Sequence, residues 1–370
     1  MAENKKSREE STELDLHRRN IDSIDLKILD LLNKRAKEVI AIGKAKKKAR
    51  SEFYVPRREQ EVYRRLLEKN KGPFPNSALK TVFREIMSAS LRLEKPLRVV
   101  FLGPVATFTH QACIQHFGLS VEFLPQKEIA DVFEEVEKGR ADFGVVPIEN
   151  TAEGVVTHTL DMFVSSNLTI SAEVMLEVSL ALLNKTGKVD DVKTVLSHPH
   201  ALAQCRNWLR ANLPGASLRD VSSTAMAAKM ASEDETSAAV ASMAAADLYD
   251  LRVLENHIED TPHNLTRFLV VGRQGATETG DDKTSIVFAI KDSPGALYKM
   301  LEPFASRGIN LTKIESRPIK TRAWEYLFFI DLDGHINDKG VREAVDELEK
   351  LCSFMKILGS YPKCHGPQGH

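Results

Sequence analysis

The stretch Asn264-Leu265-Thr266-Arg267-Phe268, running on into Leu269-Val270-Val271-Gly272, decides how this chain is read. The run 268–272 is short, apolar and bounded by polar residues, which predicts a buried strand. Its entrance carries an amide, a hydroxyl and a guanidinium. Such groups can hold a small anion and deliver a proton to it. Two other apolar runs end in the same way. Phe143-Gly144-Val145-Val146 leads into Pro147-Ile148-Glu149-Asn150-Thr151, and Thr194-Val195-Leu196 leads into Ser197-His198-Pro199. Three polar strand ends imply one crevice at the edge of a sheet. The structural alternatives are an arginine on a solvated strand end and a turn at Glu149 and Asn150 that ties the strand down.

Around this core, residues 97–273 alternate strands (97–102, 121–124, 143–146, 194–196, 238–241, 268–271) with helices (129–138, 201–212, 223–232), an α/β pattern. Upstream, residues 14–95 read as helix. Leu14, Ile21, Ile24, Ile28, Leu31, Val39 and Ile42 recur at threes and fours. They predict one helix of about 35 residues, roughly 50 Å long. So long a stripe cannot be buried within its own small unit, so a helical homodimer is expected. A second helix starts at Pro56, and a third spans 76–94 with Leu79, Phe83, Ile86 and Met87 inward. Lys95-Pro96 marks the boundary. Downstream, 274–283 is a Gly-, Thr- and Asp-rich linker. Residues 284–362 read β-α-β-β-α-β, the ferredoxin-like order. The expected architecture is therefore multidomain: all-α, then two-lobed α/β, then α+β.

Bulk properties narrow the function. The 370 residues carry 51 Lys and Arg against 52 Asp and Glu, a net charge of −1. Five basic residues lie between Lys44 and Arg50 with no recognition motif, so nucleic-acid binding is not expected. No run has the length of a membrane span, and the charged N-terminus lacks the apolar centre of a secretory signal. Cys113, Cys205, Cys352 and Cys364 are far apart and form no metal spacing. They suit a reducing compartment, so a cytoplasmic location and no metal are expected.

Polar residues on the inward face of the helical unit point to a ligand. Arg35 lies seven residues from both Ile28 and Ile42, and Lys46 shares its face. On the third helix, Ser90 and Glu94 continue the apolar side after Ile86. Polar groups so placed are costly unless paired or serving a ligand, and an ion pair between Arg35 or Lys46 and Glu94 is the plain alternative. The unit resembles the all-helical class of chorismate mutase. The match rests on Arg18, Ile24-Asp25, Leu31-Leu32, Arg35, Gly43-Lys44-Ala45-Lys46, Val55-Pro56-Arg57-Arg58-Glu59, Ser90 and Glu94. The resemblance implies that Arg35, Lys46 and Glu94 serve the rearrangement and that Arg18, Arg58, Glu59 and Ser90 line the pocket. Arg18 lies about 25 Å along the helix from Arg35, so it is expected to reach into the partner's pocket. Glu94 departs from the glutamine that a member of the family carries at this place, and can donate to an ether oxygen only when protonated.

The α/β unit resembles prephenate dehydratase. Val99-Val100-Phe101-Leu102-Gly103-Pro104 leads into Thr107-Phe108-Thr109-His110-Gln111-Ala112, a strand-turn-helix start that offers amides and hydroxyls to an anion. Ala106 stands where the family usually has glycine, which weakens any claim that the loop needs a positive φ there. Glu149-Asn150-Thr151, Ser197-His198-Pro199, Gln204-Cys205-Arg206, Ser223-Thr224 and Thr266-Arg267-Phe268 extend the resemblance. It implies a substrate site of Thr107, Glu149, Asn150, Thr151, Ser197, Thr224, Arg267 and Phe268. Thr266 is expected to serve the departing hydroxyl, with Glu149 as the competing acid, and Arg267 to clamp a carboxylate.

The last unit resembles an ACT regulatory domain. Asp292-Ser293-Pro294-Gly295-Ala296-Leu297 and Glu315-Ser316-Arg317-Pro318 carry that likeness. Gly295, Ala296, Leu297, Glu315, Ser316, Arg317 and Pro318 are thereby implied in binding L-phenylalanine. Together the three resemblances imply an enzyme, at least dimeric and without a cofactor. It would convert chorismate to prephenate and prephenate to phenylpyruvate under feedback control. A dehydratase preferring arogenate, and a non-catalytic amino-acid sensor, are the rival readings.

Overall fold

A computed structural model describes residues 2–49, 56–262, 264–290, 293–318, 326–364 and 366. The first unit is three helices: α1 (Ala2–Ala49), α2 (Pro56–Lys69) and α3 (Asn76–Glu94). At 48 residues α1 is longer than the apolar pattern predicts, because helix continues through the charged segment before Leu14. Val39 on α1 and Met87 and Ser90 on α3 are buried. A Cβ on Gly43 would lie 3.1 Å from the Glu94 Cα, so glycine lets the two helices approach there. Leu14, Ile21, Ile24, Ile28 and Leu31 remain exposed along α1.

The α/β unit runs β1 (Arg98–Leu102), α4 (Phe108–Phe117), β2 (Glu122–Gln126), α5 (Ile129–Glu137), β3 (Phe143–Asn150), β4 (Gly154–Val155), α6 (Thr157–Ser165), β5 (Thr169–Glu177), β6 (Ala181–Asn184), β7 (Thr194–Ser197), α7 (Pro199–Gln204), α8 (Arg206–Asn212), β8 (Ser217–Asp220), α9 (Thr224–Glu233), β9 (Ser237–Ala241), α10 (Met243–Tyr249), β10 (Arg252–Glu255) and β11 (Leu265–Gly272). One sheet has the order β2-β1-β3-β11-β5, with β4 on β3, and the other has β10-β6-β9-β7-β8. The chain passes between them twice, after β5 and before β11, which makes two lobes joined by two crossings. The single helix expected over 201–212 is instead two, because the backbone at Cys205 leaves helical geometry (φ −111°, ψ 14°).

The C-terminal unit is β12 (Asp282–Ile290), α11 (Ala296–Ala305), β13 (Leu311–Pro318), β14 (Tyr326–Asp333), α12 (Lys339–Glu349) and β15 (Phe354–Pro362). Its sheet is antiparallel, in the order β13-β14-β12-β15. One face packs Ile286, Phe288, Ile330 and Leu332 against Met300, Phe304, Val341 and Leu348 of the two helices. The other face adds Val287, Phe329, Leu358 and Tyr361 to the core of the first α/β lobe. Contact is close at Gly359, where a Cβ would run into the Ile170 backbone.

Candidate active sites

The cleft between the α/β lobes has a volume of about 630 Å³. Val178 and Leu180 from one crossing and Asn264 from the other lie at its wall. The first turns of α4, α6 and α9 converge on it, through Thr107 and Phe108, Thr157 and His158, and Ser223 and Thr224. Helix N-termini present unpaired amides and the positive end of the helix dipole, so the cleft suits an anion before any side-chain charge is counted. Lys127 adds a cation at the rim. Burial, and then the neighbouring His200, lowers the pKa of His198, which favours its neutral form. His198 also caps α7, its ring accepting from the His200 amide at 3.4 Å.

The loop before α4 is tightly held. Thr107 accepts from the His110 amide at 3.3 Å and donates to Pro104 O at 2.9 Å. Ala106 adopts φ +66°, contrary to the expectation from its side chain. Its N–H donates to His110 Nδ1 at 3.2 Å, and its carbonyl accepts from Ser242 Oγ at 3.2 Å, so both lobes fix this conformation.

The polar strand ends of β3 and β11 do meet. Asn150 Oδ1 accepts from the amides of Ala152 and Glu153 at 2.8 and 3.1 Å, which orients the carboxamide. Its Nδ2 then donates to Thr266 Oγ1 at 2.7 Å. Thr107, Asn150, Thr224, Thr266 and Phe268 all line the cleft.

Three expectations need correction, since Arg267, Glu149 and Ser197 are not among the cleft-lining residues, whereas Thr151 lines an adjoining cavity that shares Glu153, His200, Gln204 and Asn264 with the cleft. Arg267 follows Thr266 on a strand, so its side chain points to the other face. There Nε donates to Glu173 at 2.7 Å, Nη1 to Asp331 at 2.6 Å and Nη2 to the Tyr361 hydroxyl at 2.9 Å. Burial works to lower its pKa, but Tyr361, Asp331 and Glu173 together raise it above the ordinary value. Glu149 shares that face and accepts from Lys313 at 2.6 Å. Thr151 accepts from the Leu265 amide at 3.0 Å and braces the start of β11. Ser197 is buried, donating to Val240 O at 2.6 Å. Conversely, Lys127 and His158 line the cleft without having been legible as site residues, because a lone cation in a turn and a histidine in a first helical turn leave no pattern.

In the helical unit the structure brings Arg35, Lys46, Ser90 and Glu94 together. Arg35 donates to Ser90, Ser90 donates to Ile86 O at 2.6 Å, and Lys46 pairs with Glu94 at 3.0 Å. Burial lowers the Arg35 pKa, opposed by the Glu94 charge. Burial pushes Glu59 up to about 8. Arg18 and Arg58 are exposed and bound elsewhere, to Asp15 at 3.5 Å and Glu61 at 3.2 Å.

In the C-terminal unit a small cavity of about 230 Å³ is walled by Ile290, Ser293, Gly295, Ala296, Leu297, Tyr298, Tyr326 and Phe328. Gly295 holds φ +78° at the start of α11. Glu315, Ser316, Arg317 and Pro318 lie on β13, outside this wall, and Asp292 lies outside the described residues. Arg317 turns toward the α/β unit and donates to Asp161 and to Thr157 O, both at 2.6 Å. Among the described residues no cluster of His, Cys, Asp and Glu could hold a metal, and no helix is long and apolar enough to cross a membrane.

Comparison with known proteins gives three family matches in order. They are chorismate mutase type II over residues 17–95, prephenate dehydratase over 99–276 and the ACT domain over 284–350. The chain is 51% identical to a bifunctional chorismate mutase/prephenate dehydratase of Aquifex aeolicus (strain VF5), covering 94% of this chain and 97% of that protein. It is 45% identical to the protein of the same description from Stutzerimonas stutzeri, covering 96% and 99%. The prephenate dehydratase of Arthrobacter aurescens, solved in complex with L-Phe, is 39% identical and superposes with a TM-score of 0.68 over 72% of this chain and 90% of that one.

Proposed function

The chain belongs to the bifunctional chorismate mutase/prephenate dehydratase family, and from that premise we propose how its residues divide the work. Residues 14–95 carry the mutase, 97–273 the dehydratase and 284–362 the regulatory domain. The observation that carries the dehydratase assignment is the Asn150–Thr266 hydrogen bond at the cleft wall. Thr266 accepts from Asn150, which leaves its own proton to be donated toward a ligand. Prephenate loses carbon dioxide and its ring hydroxyl while the ring becomes aromatic. Thr266 supplies the hydrogen bond to the departing hydroxyl. The helix starts at Thr107, Thr157 and Thr224, with Lys127, take over the carboxylate binding expected of Arg267.

The mutase reaction is an internal rearrangement, so its catalyst holds a compact conformer and stabilises charge on the breaking ether bond. Arg35 and Lys46, set beside Ser90 and Glu94, suit that task. Arg58 and Glu59 join the pocket on substrate binding. Arg18 completes it from a second copy, whose α1 covers the exposed apolar face. L-phenylalanine binds at Gly295, Ala296 and Leu297 and draws on Glu315, Ser316, Arg317 and Pro318 as the C-terminal domains associate. The protein works in the cytoplasm, on small molecules alone.

The test is to supply prephenate to the full chain at neutral pH and follow phenylpyruvate, with and without L-phenylalanine. Turnover that L-phenylalanine suppresses is the expected result. Tight prephenate binding without turnover would instead identify a sensor, and faster turnover of arogenate would reassign the substrate.

A further inference from the structure

The two residues of the cleft hydrogen bond share one feature beyond the cleft: the neighbour of each is tied to the C-terminal domain. In the β3–β11 ladder Thr266 pairs with Asn150, and Arg267 pairs with Glu149. Side chains alternate across a strand, so the charged pair lies directly behind the polar pair. Glu149 accepts from Lys313 at 2.6 Å and Arg267 donates to Asp331 at 2.6 Å.

We propose that the C-terminal domain positions the dehydratase hydroxyl, with Lys313 and Asp331 acting as positioning residues for Asn150 and Thr266 through Glu149 and Arg267. This rests on the reading that the cleft dehydrates prephenate. The Arg267 node is buried and closely satisfied. Asp331 accepts from Ser285 at 2.5 Å, and Ser285 shares a 2.6 Å hydrogen bond with the Tyr361 hydroxyl that Arg267 also meets. A buried charge cluster tolerates few geometries, because moving one partner leaves the others unpaired in a low dielectric. Its backbone is therefore held in one place, and Thr266 with it.

A second strut runs from the same domain. Lys313 and Arg317 both reach from β13 into the α/β unit, and Glu315-Ser316 lies between them. Arg317 grips the Thr157 carbonyl at the first turn of α6, which itself lines the cleft. A ligand that moves β13 acts on Glu149 and on Thr157 together. The domain thus supplies part of the catalytic geometry, and effector binding perturbs turnover by withdrawing that support. The coupling belongs to a physical element that both sites bias.

The test uses the full chain and steady-state kinetics on prephenate and on chorismate for Lys313→Met, Lys313→Arg and Asp331→Asn. Misplacement of a catalytic group without loss of substrate contacts lowers kcat and spares KM. Lys313→Met and Asp331→Asn should each lower dehydratase kcat about tenfold with KM within about twofold. Mutase turnover should be unchanged, and Lys313→Arg, which keeps the pair, should retain wild-type dehydration. Wild-type kcat in both Lys313→Met and Asp331→Asn overturns the inference. So does a rise in KM alone, a parallel fall in mutase turnover, or an Arg variant as slow as the Met variant. Absence of prephenate turnover in the wild-type chain would count against the reading of the cleft itself.

Discussion

Asn150 and Thr266 are joined by a 2.7 Å hydrogen bond from amide to hydroxyl, and two backbone amides on Asn150 Oδ1 fix which end of the carboxamide donates. The threonine is an acceptor in that bond, so its own hydrogen is left for the cleft. Asn150 is thus a device for aiming a proton, and the account of the dehydratase depends on it.

Removing that hydroxyl should cost turnover more than affinity. Thr266→Ala should lower dehydratase kcat by roughly 10²–10³-fold with a small change in KM, while Thr266→Ser stays within about tenfold of wild type. A fully active alanine variant would remove the role given to Thr266.

Arg267 behaves differently from a carboxylate clamp. Truncating it leaves Asp331 buried without its cation and Glu173 with Lys283 alone. Arg267→Met should therefore lower the stability of the unfolding transition that includes the α/β unit by about 3–5 kcal/mol, read from urea denaturation. Unchanged stability with a large rise in prephenate KM would restore the clamp.

Gly43 sets the spacing of the mutase site. A Cβ there would meet the Glu94 Cα at 3.1 Å and its side chain at 3.3 Å. Gly43→Ala should push α3 away from Lys46 and lower mutase turnover about tenfold or more. Dehydration of added prephenate should be untouched. Equal losses in both activities would point to a general folding defect.

Burial pushes Glu59 up to about 8, above the 4.5 of a free glutamate. Folding thus favours the protonated form. The helical unit should be most stable below about pH 4.5, lose stability as pH rises from there to about 8, and change little from this group beyond. Urea midpoints at pH 5.5 and 7.5 should differ less in Glu59→Gln than in wild type. The same pH dependence in both proteins would contradict a half-buried Glu59 held protonated by the fold.

Much of this was legible in the residue pattern. The heptad-like recurrence of Ile21, Ile24, Ile28 and Leu31 reveals α1, and the βαββαβ order of the last unit is found as read. The strand Thr169–Glu177 escapes that reading, although Ile170, Ala172, Val174 and Leu176 alternate in the way a strand requires. Ser217–Asp220 offers no such help: all four residues are exposed at a sheet edge, so burial leaves no mark on their sequence. At the site, the motif 264–268 locates the right strand but assigns both Thr266 and Arg267 to the ligand. Strand parity forbids that for adjacent residues. Which of the two faces the cleft depends on the C-terminal sheet that covers the other side, a contact with residues 64 and 94 positions away. Ala106 shows the same limit, since its positive φ is imposed by His110 and Ser242 rather than by its own side chain.

The central claim is that one chain holds two separate catalysts acting in series. It is tested most directly by supplying chorismate at neutral pH to Arg35→Ala, to Thr266→Ala and to an equal mixture of the two, and measuring phenylpyruvate. Each variant alone should make it at no more than about a hundredth of the wild-type rate, the first accumulating chorismate and the second prephenate, while the mixture should restore the product. Phenylpyruvate from either variant alone at a rate near wild type, or no gain from the mixture over the separate variants, would contradict the account.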